Sequence, residues 1–72
     1  MNKKIGFVKW YNKKLGIGVI DEVALGRQHT FSTVDVLTVD KHVEEGDKVS
    51  FIFAEDDYKY PVKNITLVLL RR

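Results

Sequence analysis

Within 72 residues five short runs are dominated by β-branched and aromatic residues, and in the first, fourth and fifth the side chains alternate at every second position. That spacing is the period of a strand and not of a helix. The runs are Lys3 to Asn12, Gly16 to Val23, Gln28 to Phe31, Lys48 to Ala54 and Val62 to Leu70. Strict alternation in the first places Ile5, Phe7, Lys9 and Tyr11 on one side and Val8 and Trp10 on the other. The fourth sets Val49, Phe51 and Phe53 against Lys48, Ser50 and Ile52. The fifth sets Val62, Asn64, Thr66, Val68 and Leu70 against Lys63, Ile65, Leu67 and Leu69.

The connections carry turn chemistry. Asn12-Lys13-Lys14 and Ala24-Leu25-Gly26 are each suited to closing a hairpin, Glu55-Asp56-Asp57 is a charged link, and Pro61 marks where the last strand can begin. Residues 32 to 46 are the exception to the pattern. Asp35 is placed to cap a short helix with Val36, Val39 and Val43 on one face and Gly46 as its stop, although three valines oppose a long one. A turn of helix followed by a loop is the expectation. Five short strands cannot cover both faces of an open sheet, so the runs predict a single all-β domain over residues 1–72, closed or nearly closed into a small barrel whose topology they do not choose.

Such a chain buries only ~60% of its unfolded surface, and one core must suffice. It has no cysteine, which removes disulfides and thiolate metal sites. His29 and His42 lie thirteen apart without a ligand-like cluster around them, so no structural metal and no cofactor are expected. The amino-terminal run lacks the uninterrupted apolar stretch of a signal peptide, and ITLVLL is far shorter than a membrane span. A cytoplasmic protein with no membrane partner is the default expectation. The net charge of +2 divides unevenly, with six basic against two acidic residues in 1–34 and six against eight in 35–72. A first half of net +4 suits a polyanion; a solvated charged surface is the plainer reading.

Gly6-Phe7-Val8-Lys9-Trp10-Tyr11-Asn12 followed by Gly16-Ile17-Gly18-Val19-Ile20 resembles the opening of bacterial cold-shock proteins, G-x-V-K-W-F-N and then K-G-F-G-F-I. Phe31-Ser32 is similar to the end of that family's V-F-V-H-F-S. Glu44-Glu45-Gly46-Asp47-Lys48-Val49-Ser50-Phe51 is similar to E-E-G-x-x-V-S-F, and Asn64-Ile65-Thr66 to N-V-T. The matches fall in the family's order from residue 6 to residue 66. The resemblance implies a five-stranded OB-type barrel that binds single-stranded RNA or DNA on strands two and three, and that loosens nucleic-acid structure without ATP. Rings offer flat faces to unstacked bases while lysines follow the phosphates. Carried over by position, the interface comprises Lys9, Trp10, Tyr11, Lys13, Lys14, Ile17, Val19, Arg27, Gln28, Thr30 and Phe31. Trp10, Tyr11 and Phe31 would stack, and Lys9, Lys13, Lys14 and Arg27 would lie near phosphates.

The chain departs from the family where stacking is concentrated. Ile17 and Val19 replace two phenylalanines, Leu15 a lysine, Gln28 a phenylalanine and Thr30 a histidine. Loss of two or three stacked rings removes ~2–9 kcal/mol of affinity at ~1–3 kcal/mol each, so weak, salt-sensitive binding is expected. Tyr58 and Tyr60 could add rings at the rim or pack over the barrel end. The competing expectation is a face of Leu15, Ile17 and Val19 that binds a protein partner or a second copy. In a third arrangement Val34, Val36, Leu37 and Val39 of the 32–46 segment partly cover that strip.

Other chemistries find little support. Gly16-Ile17-Gly18 lacks the third glycine and following helix of a dinucleotide loop. No serine elbow is present and no histidine has an evident acidic partner, while Glu44-Glu45 and Asp56-Asp57 read as surface charge. The expectation is a non-enzyme.

Overall fold

A computed structural model describes residues 3–68. The protein is all-β, with strands β1 (Lys3–Asn12), β2 (Ile17–Glu22), β3 (Arg27–Ser32), β4 (Lys48–Phe53) and β5 (Val62–Leu67). They form one antiparallel sheet in the order β3-β2-β1-β4-β5, curled strongly enough to make a half-barrel of the OB type. The outer strands β3 and β5 approach each other across the gap. The chain leaving β3 fills part of that gap: Val36 bridges Ile65 in parallel, and the Leu37 amide donates to the Ile65 carbonyl at 2.9 Å.

The run from Gly16 to Ile20 uses its two glycines for different purposes. Gly16 takes φ of +78° at the end of the β1–β2 turn, a left-handed conformation that favours glycine. Gly18 is glycine for a different reason. A Cβ there would lie 2.4 Å from Phe31 Cζ and 2.8 Å from the Trp10 carbonyl oxygen, so the ring of Phe31 lies directly over the backbone of β2.

The core is Val8, Ile20, Phe31, Val36, Val43, Val49, Phe51, Val62 and Ile65, with Tyr11 and Leu67 packed against it. Two register shifts change the alternation expected from sequence. Val8 pairs with Ile20 but Trp10 with Val19, so Lys9 is an extra residue in β1. Ser50 pairs with Thr66 but Ile52 with Lys63, so β5 also carries an extra residue, beside Asn64 at φ of +54°. Each bulge moves the side chains beyond it to the opposite face. Trp10 therefore joins the outward side of Phe7 while Tyr11 turns in beside Val8. In β5, Val62 and Ile65 both enter the core. The expected extension of β5 through Leu70 reaches residues 69 and 70, which lie outside the described residues; Val68 is already past the strand.

Residues 33–41 form two 3-10 turns, Thr33–Asp35 and Val39–Lys41, in place of one short helix. Ser32, not Asp35, caps the first, accepting from the Val34 amide at 3.4 Å. Val36 and Val43 reach the core while Val39 is 85% exposed, which overturns the expected shared face. Asp35 instead meets Lys63 Nζ at 3.3 Å. The same ammonium contacts Asp57 at 2.8 Å, and that hydrogen bond is the main reason the Lys63 pKa is raised and the Asp57 pKa lowered. No helix among the described residues is long and apolar enough to cross a membrane.

Candidate nucleic-acid interface

The outward face of β1, β2 and β3 is built in rungs. Cross-strand register sets Asn12, Ile17 and Ser32 in one rung and Trp10, Val19 and Thr30 in the next. Phe7, Asp21 and Gln28 form the third. Residues two apart on a strand rise ~6.6 Å, so successive rungs are spaced about as far apart as successive nucleotides of an extended strand.

Trp10 is 38% exposed and Phe7 41% exposed, and the bulge at Lys9 brings their rings onto the same surface. Ile17, Val19 and Thr30 are half-buried beside them and Gln28 is exposed. Cations border the rungs: Lys9 and Lys14 are exposed, and Lys48 of β4 pairs opposite Phe7. Phe7 and Lys48 were not among the residues expected from sequence. The signal for Phe7 was present, since it alternates with Gly6 and Val8, which face inward.

Three expected contributors are placed elsewhere. Phe31 is fully buried, so its ring is a core element with no face for a base, and the expectation that it stacks is corrected. Tyr11 is also turned inward. Its ring stacks on Phe31 with centroids 5.4 Å apart, and its hydroxyl donates to the Lys41 carbonyl at 2.9 Å. Arg27 lies at the opposite end of the strands, where it borders a cavity of about 140 Å³ with Lys4, Glu22, His29 and Glu55.

Lys13 is at the correct end but donates to the Asp40 carbonyl, which ties the β1–β2 turn to the second 3-10 turn. Leu15 is exposed there with Val34, Leu37 and Val39. The 33–41 segment therefore does not bury these side chains over the Ile17–Val19 strip. Tyr58 is 99% exposed and Tyr60 half-buried, with Lys59 Nζ 5.7 Å from the Tyr60 ring centroid. Both lie in the β4–β5 connection, at the end of the sheet away from Trp10.

One further constellation was hidden in the sequence. His29 Nε2 lies 2.7 Å from Glu22 Oε1 on the inner side of β2 and β3, so a histidine does have an acidic partner on a rigid frame. Lys4 Nζ is 3.5 Å from the other oxygen. The hydrogen bond from His29 is the largest cause holding the Glu22 pKa below its ordinary 4.5; burial opposes it and Lys4 reinforces it. Because the folded-state pKa is depressed, the carboxylate stabilises the fold above pH 4.5, and that contribution is lost as pH falls through the folded value. Glu22→Gln is expected to cost ~1–3 kcal/mol at neutral pH, the range for an unsatisfied buried partner. Urea unfolding of both proteins should show the difference shrinking in acid; a gap that stays constant down to pH ~3 would contradict this linkage.

The chain matches no protein-family model and no curated protein.

Proposed function

We propose that this protein binds single-stranded RNA or DNA, without catalysing a reaction, through the outward face of β1, β2 and β3. The observation that carries this reading is the pair of exposed rings, Trp10 and Phe7, set on adjacent rungs by the bulge at Lys9. Lys9 lies between them in β1, Lys48 pairs opposite Phe7, and Lys14 is exposed in the turn beyond Asn12, cations that would follow the phosphates. The resemblance of the Lys9-Trp10-Tyr11-Asn12 segment to cold-shock proteins supports the same reading. Ile17 and Val19 add apolar contact without stacking. Two rings at ~1–3 kcal/mol each give weak binding, and the phosphate contribution makes it salt-sensitive.

The single tryptophan is Trp10, so its fluorescence reports directly on this face. Titration with oligothymidine, oligouridine and mixed-base strands at low salt should perturb its emission, with affinity falling as salt rises. Unchanged emission with every strand up to high micromolar concentration would exclude the reading. Trp10→Ala should weaken binding of a labelled strand about 5- to 140-fold by anisotropy, corresponding to the loss of one stacked base. Unchanged affinity in that variant would remove Trp10 from the interface.

The second reading is a protein contact or homodimer through Leu15, Ile17 and Val19. It is favoured by the exposure of Leu15, which like Val34, Leu37 and Val39 is an apolar side chain left open to solvent. Concentration-dependent light scattering distinguishes the homodimer, which Leu15→Lys should dissociate.

A further inference from the structure

We propose that Asp21 makes this face select guanine at the position that stacks on Phe7. The inference rests on the nucleic-acid reading above and adds base specificity to it. Only two carboxylates lie within the described strands, adjacent in sequence and opposite in direction. Glu22 points inward to His29 and Lys4. Asp21 points outward, is half-buried, and has no hydrogen bond or ion pair among the described residues. Its cross-strand neighbours are Phe7 on β1 and Gln28 on β3. An unpaired carboxylate in the middle of a phosphate-attracting surface opposes binding unless a ligand donor meets it.

Directly opposed cross-strand side chains have Cβ atoms ~4.5–5.5 Å apart, so a base lying on the Phe7 ring presents its edge to Asp21 and, beyond it, to Gln28. An ionised carboxylate accepts hydrogen bonds and donates none, whereas a carboxamide does both. Guanine fits this row. Its N1–H and N2–H donors lie side by side and can meet the two carboxylate oxygens, while the Gln28 amide donates to O6. Cytosine and adenine each offer a single amino donor beside a ring acceptor, which faces the second oxygen with like polarity. Uracil and thymine offer one N3–H between two carbonyls and are disfavoured most. Unpaired bases are read along these edges by hydrogen bonding combined with stacking.

A good bidentate contact discriminates by ~1–3 kcal/mol, which is about 5- to 140-fold in affinity. The decisive probe is a short oligothymidine carrying one central guanine, compared with plain oligothymidine and with the same strand carrying inosine, which lacks the N2 amino group. Trp10 emission is the readout, at a single low salt. The guanine strand should bind about 5- to 140-fold more tightly than oligothymidine, and inosine should fall between them. Asp21→Asn should raise affinity for oligothymidine by removing a negative charge and should collapse the preference. A purely electrostatic role for Asp21 would raise affinity for all three strands equally and leave their ratios intact, which would overturn the proposal. Equal binding of guanine and thymine strands by the unaltered protein would also overturn it, while leaving nucleic-acid binding standing. Absence of binding by any strand would overturn both.

Discussion

Phe31→Ala is expected to unfold much of the population at moderate temperature, with no selective effect on a surface. The ring is fully buried, stacks on Tyr11 and covers Gly18, so its removal leaves a void bounded by backbone that cannot collapse freely. Phenylalanine-to-alanine changes in cores cost ~3–5 kcal/mol. A domain of 72 residues has roughly 4–11 kcal/mol in total at ~0.05–0.15 kcal/mol per residue. The melting temperature should fall by ~12–40 °C at 4–8 °C per kcal/mol, read by circular dichroism. Phe31→Leu should lose much less because it retains most of the apolar volume. If the alanine variant melted within a few degrees of the unaltered protein, the core assignment of Phe31 would be wrong and a surface role restored.

Gly18→Ala is the complementary test, since it adds volume where Phe31→Ala removes it. The new Cβ would meet Phe31 Cζ at 2.4 Å, Phe31 Cε2 at 2.6 Å and the Trp10 carbonyl oxygen at 2.8 Å. The ring can shift a little, but the carbonyl belongs to the β1 ladder and cannot move without disturbing the strand pairing. Overpacking of this kind costs ~1–3 kcal/mol and sometimes more. Because Gly18 and Phe31 touch, combining Gly18→Ala with Phe31→Leu should be less damaging than the two changes summed, by ~0.5–3 kcal/mol. Strict additivity in urea melts would show that the collision is not what fixes glycine at this position.

The same contact gives the glycine-spaced segment its meaning. Ile17 and Val19 take the outward positions of this segment, in the rungs of Asn12 and Trp10, and are half-buried. The aromatic partner of the segment lies inside the barrel. With Phe31 buried and Tyr11 stacked on it, the outer face depends on Trp10 and on Phe7, which a residue-by-residue transfer from cold-shock motifs omits. The surface proposed for nucleic acid is therefore displaced along β1 toward Phe7, Asp21 and Lys48.

Local sequence was enough to determine the five strands and their turns at residues 13–16 and 23–26, because period-two apolar patterning and turn chemistry act over a few neighbouring residues. The faces beyond Val8 in β1 and beyond Lys63 in β5 were decided only by tertiary structure. Each strand admits one extra residue, at Lys9 and beside Asn64, and strict alternation read from sequence carries the wrong sign past those points. The placement of Arg27 at the far end of the barrel and the pairing of Glu22 with His29 were likewise set by how strands close on one another. A bulge relieves the strain of bending a sheet around a small core, and that strain arises from curling all five strands around it, not from the residues of any one of them.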